Sequence, residues 1–153
     1  MKPRMNYYQA APDTLKALLA LEAQIQASGL EQSLIELAKT RASQINGCAY
    51  CINMHTLDAR KHGETEARLY LLNAWRESPG YSDRERAALA WTEAVTLISE
   101  THAPDDVYEA VRAQFSEADT VNLTTLIATI NAWNRLAISF RAVPQIKASA
   151  NAA

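Results

Sequence analysis

Two cysteines and a histidine, Cys48, Cys51 and His55, sit close together in the stretch GCAYCINMHTLDARKHG, Gly47 to Gly63. On a helix they occupy relative positions 0, 3 and 7, so all three project from one face. A thiol is a useful nucleophile only as its thiolate, and two local features favour that form. A helix beginning near Cys48 places both cysteines in its first turn, where unpaired N–H groups and the helix dipole stabilise an anion. His55, four residues beyond Cys51, is placed to take its proton or to pair with the thiolate. A sulfenic acid formed on one sulfur would meet the second thiol one turn away and condense to a disulfide. The dipole and the base rank the cysteines in opposite order. Helix position favours Cys48, but Cys48 is about 10 Å of helix rise from His55. A positioned base is worth ~10²–10⁴ in rate. Cys51 is therefore expected to attack and Cys48 to resolve.

Two other chemistries fit these residue types. A CxxC can be half of a zinc site, with His55 and His62 as further ligands. Four ligands along one straight helix, however, do not readily surround a metal tetrahedrally. Two buried small cysteines and a packed histidine would be an ordinary piece of core; three such residues on one face at a helix start argue against it. His62 lies next to the helix end, where a cationic side chain is favoured anyway, and it is left outside the site. His102 has no partner in sequence. Trp75, Trp91 and Trp133 fall at core spacing. Arg41 falls within an apolar stripe and is expected to pair with a carboxylate that the sequence does not identify.

The elements that must position this face read as helices throughout. Only four glycines and five prolines punctuate 153 residues, and no strand-like alternation or internal repeat is present. Helices are expected over 13–28, 31–46, 48–62, 64–77, 83–100, 104–115 and 116–140. Gly29, Gly47 and Gly63 serve as stops, and Ser82 with Glu85 forms a capping box. That makes one all-α domain over 1–153, a bundle of about seven helices, with a frayed tail from Pro144. In the seventh helix Leu123, Leu126, Ile127, Ile130 and Ala137 form one stripe, while Val121, Ala128, Ala132, Trp133 and Leu136 cover other sides. A helix apolar nearly all round must be buried nearly all round, either as a central core helix or against a second subunit, the latter favoured because seven helices seldom enclose one completely.

Hydrophobic residues at 48% and charged residues at 21% suit a folded globular protein. The net charge of −2 offers no attraction for nucleic acid or an acidic membrane surface. No apolar run approaches the ~20 residues of a membrane helix. The opening MKPRMNYYQAAPD lacks the apolar segment of a secretory signal. A cytoplasmic location is expected, where an isolated CxxC reads as redox-active or metal-binding.

The stretch LIELAKTRASQINGCAYCINMHTLDARKHGETEARLYLLNAWRE resembles the core of the carboxymuconolactone decarboxylase superfamily, on its alkyl hydroperoxidase D-like branch. AALAWTEAVTLISE and INAWNRLAISFR extend the resemblance over nearly the whole chain. The branch's pattern is a glutamate about three turns before a CxxC and a histidine four residues after its second cysteine, filled here by Glu36, Cys48, Cys51 and His55. On a helical wheel Glu36 lies opposite Leu34, Ala38 and Ile45, beside Thr40 and Ser43. The residues alone read it as solvated, and only the resemblance makes it a relay carboxylate. Some hydroperoxidases of the branch carry histidine immediately before the second cysteine; this chain has Tyr50.

The resemblance implies an alkyl hydroperoxidase D-like bundle with thiol-dependent peroxidase activity and a Glu36–His55 proton relay. It implies no metal, flavin or haem, and a trimer or hexamer. The partners expected are a hydroperoxide and an external dithiol reductant, thioredoxin-like or lipoyl-type, with no nucleic acid or membrane. True decarboxylases of the superfamily lack the dithiol, so decarboxylation is the weaker expectation. A dithiol sensor without turnover is the alternative of a different class.

Overall fold

The computed structural model describes residues 2–146. Of the tail expected to fray, Pro144 to Ile146 carry no regular structure, and 147–153 lie outside the described residues. Among the described residues there are nine α-helices and no strand: α1 (Tyr7–Ala10), α2 (Pro12–Gln26), α3 (Gln32–Asn46), α4 (Ala49–Lys61), α5 (Glu66–Leu71), α6 (Asp83–Thr96), α7 (Ile98–Thr101), α8 (Asp105–Gln114) and α9 (Glu117–Phe140). None is long and apolar enough to cross a membrane.

Seven helices become nine for local reasons. The expected 83–100 helix opens with the Ser82–Glu85 capping box but breaks at Leu97, leaving α7 as a separate turn. The Thr101 hydroxyl donates to the Ala94 carbonyl at 2.6 Å, satisfying a group that a continuing helix would have paired with the N–H of residue 98. The expected 64–77 helix starts later, capped by Thr65, and tightens into a 3-10 turn over Leu72–Ala74. The short α1 was not anticipated. Its start is fixed by Asn6, whose side chain accepts from the Tyr8 and Gln9 N–H groups.

The centre of the bundle is α3, which packs on α4, α6 and α9. Leu34, Ile35 and Ala38 join Leu123, Leu126 and Ile127 of α9 in one cluster, with Ala88 and Trp91 of α6. A second cluster gathers Leu37, Leu72, Trp75 and Leu89. The carboxylate awaited by Arg41 is Glu93: Arg41 Nε donates to Glu93 Oε1 at 2.8 Å. Trp75 Nε1 donates to the same oxygen at 2.8 Å, and Arg76 pairs with the other. Burial raises the Glu93 carboxyl, but these three donors outweigh it and hold its pKa below the usual carboxylate range. Only part of α9 is covered. Leu123, Leu126, Ile127 and Ile130 are wholly buried, whereas Val121 is 64% and Ile138 46% exposed.

The join between α3 and α4 positions the chemistry. Gly47 adopts the left-handed conformation at φ 67°. Its N–H reaches Gln44 O and the next N–H, of Cys48, reaches Ser43 O, a Schellman closure of α3. Cys48 is at once the residue that completes this motif and the N-cap of α4. Gly47→Ala meets no atom within 4 Å of the new Cβ, so its cost is the backbone penalty alone, about 1–2 kcal/mol. A melting temperature lower by about 2–4 °C per kcal/mol is expected in a thermal scan. No change would mean that the turn relaxes freely.

Candidate active site

Cys48, Cys51, His55 and Glu36 come together, and all four are buried. Cys48, at the N-cap, accepts the Cys51 N–H at 3.4 Å. The two sulfurs of the free thiols stand 2.6 Å apart. A disulfide is about 2.05 Å long, so closure needs about half an ångström of movement. The expectation that both cysteines start a helix holds in finer form: Cys48 caps it and Cys51 lies in its first turn.

The sulfurs are electrostatically unequal. The Cys48 thiol is brought down to about 7, chiefly by the hydrogen bond from Cys51, against the opposing effect of burial. The N–H groups of Cys51 and Tyr50 and the side chain of Asn134 add to the lowering. Cys51 is pushed up by its bond to Cys48, by burial and by the charge on Cys48. Of the two, Cys48 is thus the sulfur that more readily carries the negative charge.

His55 lies one turn beyond Cys51, and its Nδ1 is 2.9 Å from Glu36 Oε2. Glu36 Oε1 accepts Gln32 Nε2 at 2.8 Å, so both carboxylate oxygens are held. With Nδ1–H donating to Glu36, Nε2 is the free basic atom. The wheel reading of Glu36 as solvated is overturned, for it is only 4% exposed. The physical reason lies in its neighbours. Thr40 and Ser43 are fully buried on that side of α3, and their small side chains let α4 close over a face that periodicity alone would leave to water.

A cavity of about 160 Å³ meets Cys51 and His55. Its walls are mainly aromatic and apolar, with Tyr7 and Tyr8 of α1, Tyr50, Met54 and Trp133 of α9, and they include the Glu22 carboxylate. Trp133 thus lines the cavity, while Trp75 and Trp91 are core as expected. Cys48 does not border this cavity; it opens to a second cleft beside Gly47, Ile138 and Arg141. His62 is exposed, with Nδ1 against the Asp58 carbonyl, and His102 ends α7 in the left-handed region. Neither joins the site. Among the described residues no three His, Cys, Asp or Glu side chains gather as a metal ion would require.

Sequence reasoning missed Gln32, α1 and Asn134. The four-residue spacing of Gln32 and Glu36 on one helix was a usable signal, and Asn6 as an N-cap was another. Asn134 carried none, since its part depends on α9 crossing the dithiol.

Residues 12–94 match the carboxymuconolactone decarboxylase family. The uncharacterized protein YdfG of Bacillus subtilis is 45% identical over 139 residues, which span 91% of this chain and 95% of that one. A crystal structure from Agrobacterium tumefaciens, ATU0492, is 49% identical with a TM-score of 0.93, covering 95% of this chain and 100% of the other. ATU0492 is a protein of unknown function described as a candidate antioxidant defence protein, AhpD. An alkylhydroperoxidase AhpD core, a peroxidase-related protein from Ralstonia eutropha JMP134, superposes with a TM-score of 0.80. It is 21% identical, covers 91% of this chain and 74% of its own, and shares the fold.

Proposed function

We propose that this chain, which belongs to the carboxymuconolactone decarboxylase family and has an AhpD-like fold, is a thiol-dependent peroxidase working through a Cys48–Cys51 dithiol–disulfide cycle. The observation that carries the reading is one arrangement: Cys51 at an aromatic cavity, His55 beside it and held by Glu36, and a second sulfur 2.6 Å away. The antioxidant description of ATU0492 agrees with it.

The oxidative half of the cycle balances with these groups, the hydroperoxide and one proton from solvent. His55 takes the Cys51 proton, directly or through a water, as Cys51 Sγ attacks the terminal oxygen of the hydroperoxide. The O–O bond breaks, and the departing alkoxide takes that proton from His55 to leave as alcohol. Glu36 orients the ring and balances its transient charge. Cys48, as its thiolate, then attacks the Cys51 sulfenic sulfur. Hydroxide leaves and takes a proton from solvent to become water, and the disulfide forms. The opposing claims of dipole and base are thereby divided between two steps: the base serves the attacking thiol, and the N–H groups of the helix terminus contribute to ionising the resolving one. An external dithiol, thioredoxin-like or lipoyl-type, returns the disulfide to thiols. The aromatic walls suit an organic hydroperoxide. A cytoplasmic location fits a dithiol that must be re-reduced.

Steady-state consumption of cumene hydroperoxide with a regenerating dithiol tests the reading. Many turnovers per chain are expected. Consumption that halts after one equivalent would favour a dithiol sensor instead.

The proposed assembly is a homo-oligomer, trimer or hexamer, formed through the open apolar side of α9 around Val121, Ala128 and Ile138. These apolar side chains are exposed on a helix otherwise largely buried, which is where a second copy would bind. Sedimentation at micromolar concentration should give a mass several times 16.9 kDa; a clean monomer would refute the assembly.

A further inference from the structure

Asn134 is wholly buried in the middle of α9, and no step above uses it. Its neighbours one turn to either side on that helix face, Ile130 and Ala137, belong to the same cluster as Cys48 and Cys51. Asn134 therefore stands against the dithiol with them. Packing does not call for a carboxamide here, since leucine has a similar volume and a buried amide without partners costs about 1–3 kcal/mol.

The amide is held at a fixed angle. Its Oδ1 accepts Asn46 Nδ2 at 2.8 Å, and its Nδ2 donates to Ser43 Oγ at 3.1 Å. Ser43 in turn donates to the Lys39 carbonyl at 2.7 Å. Asn46 also donates to Asn131 Oδ1 at 2.9 Å, so the last residue of α3, two before Cys48, is tied to α9 by both asparagines. An amide nitrogen carries two hydrogens. Ser43 takes one, and the second has no oxygen acceptor among the described residues. The Cys48 and Cys51 sulfurs share the cluster of Ile130 and Ala137 that flanks Asn134, and the Asn134 side chain lowers the pKa of both thiols, as a nearby donor would.

We propose that Asn134 is a catalytic hydrogen-bond donor to the dithiol, its second amide hydrogen directed at the Cys48–Cys51 sulfurs from α9 while the N–H groups of α4 serve them from the other side. It stabilises the Cys48 thiolate before resolution, and again when that thiolate is released on reduction of the disulfide. The inference rests on the dithiol reading of the site, yet its test needs no peroxide.

The measurement is the thiolate ultraviolet absorbance of the reduced protein as a function of pH, together with its redox equilibrium against glutathione. The wild type should show one thiolate with a midpoint of about 7. Asn134→Ala should raise that midpoint by about one pH unit, a tenfold loss of thiolate below it, and make the disulfide correspondingly harder to reduce. Asn134→Leu keeps the volume, should the alanine variant fail to fold, and is expected to give the same shift. Asn131→Ala removes bonds from the same α3–α9 network one turn away and should leave the midpoint nearly in place. A wild-type midpoint retained in both Asn134 variants would overturn the proposal. So would an equal shift in Asn131→Ala, because the network's packing, not a donor to sulfur, would then set the thiolate. A wild type whose thiols both titrate at ordinary values would overturn it together with the ionised Cys48, while peroxide turnover would still be read separately.

Discussion

Cys51→Ser should lose essentially all reaction with organic hydroperoxide, while Cys48→Ser should react once and stop as a sulfenic acid on Cys51. The asymmetry is expected even though Cys48 is the more acidic thiol. Cys48 borders a different cleft and has no histidine one turn away, whereas Cys51 meets both the aromatic cavity and His55. Low pKa raises the thiolate fraction but also lowers the intrinsic nucleophilicity of the sulfur, so acidity alone does not choose the attacker. A dimedone-type probe and peptide mapping read the outcome directly. Label on Cys51 in Cys48→Ser, and none in Cys51→Ser, is the expected pattern. Label on Cys48 in Cys51→Ser would exchange the two roles. Acidification should imitate the Cys48 substitution in the wild type. As the pH falls Cys48 gains its proton, resolution slows and the sulfenic acid lives longer; as the pH rises the closure rate should level off.

His55→Ala should slow the single-turnover oxidation of Cys51 by about 10²–10⁴, the usual range for losing a positioned general base. Glu36→Gln should do so by a smaller factor. The glutamine oxygen can still accept from Nδ1–H, so ring orientation survives, but the negative charge that stabilises the protonated ring is lost. Because the two act as one relay, the double variant should be no slower than His55→Ala alone. A Glu36 effect that multiplies fully in the His55→Ala background would show that Glu36 acts elsewhere, for instance by fixing the first turn of α3 through Gln32. Thermal melts of each variant separate that structural loss from a kinetic one.

How much of this could be read from the residues differs from one element to the next. Helix positions followed from local signals that act within a few residues: Gly47 as a left-handed stop, Ser82 with Glu85 as a capping box, and Ser116 ahead of α9. The breaks at Leu97 and Leu72 depended on local side-chain bonds and turns that no periodicity encodes. The dithiol face was legible because Cys48, Cys51 and His55 share one helix, whose geometry is fixed by spacing. Glu36 was not, because its burial is decided by a second helix closing over small residues; the wheel alone set it in water, and the family resemblance was needed to place it. Asn134 and Trp133 come from α9, and Tyr7 and Tyr8 from the far N-terminus, at sequence separations that spacing arguments do not span. Arg41 is the intermediate case, where an unpaired cation in an apolar stripe announced a partner without naming Glu93.

The most direct test of the dithiol cycle is a count of free thiols before and after one equivalent of an organic hydroperoxide, with the alcohol measured in parallel. The reduced chain holds two free cysteines. A fall to none, one molecule of alcohol per chain, and a Cys48–Cys51 linkage in non-reducing peptide maps is the expected result. Both thiols left intact, or linkage only between chains, would contradict it.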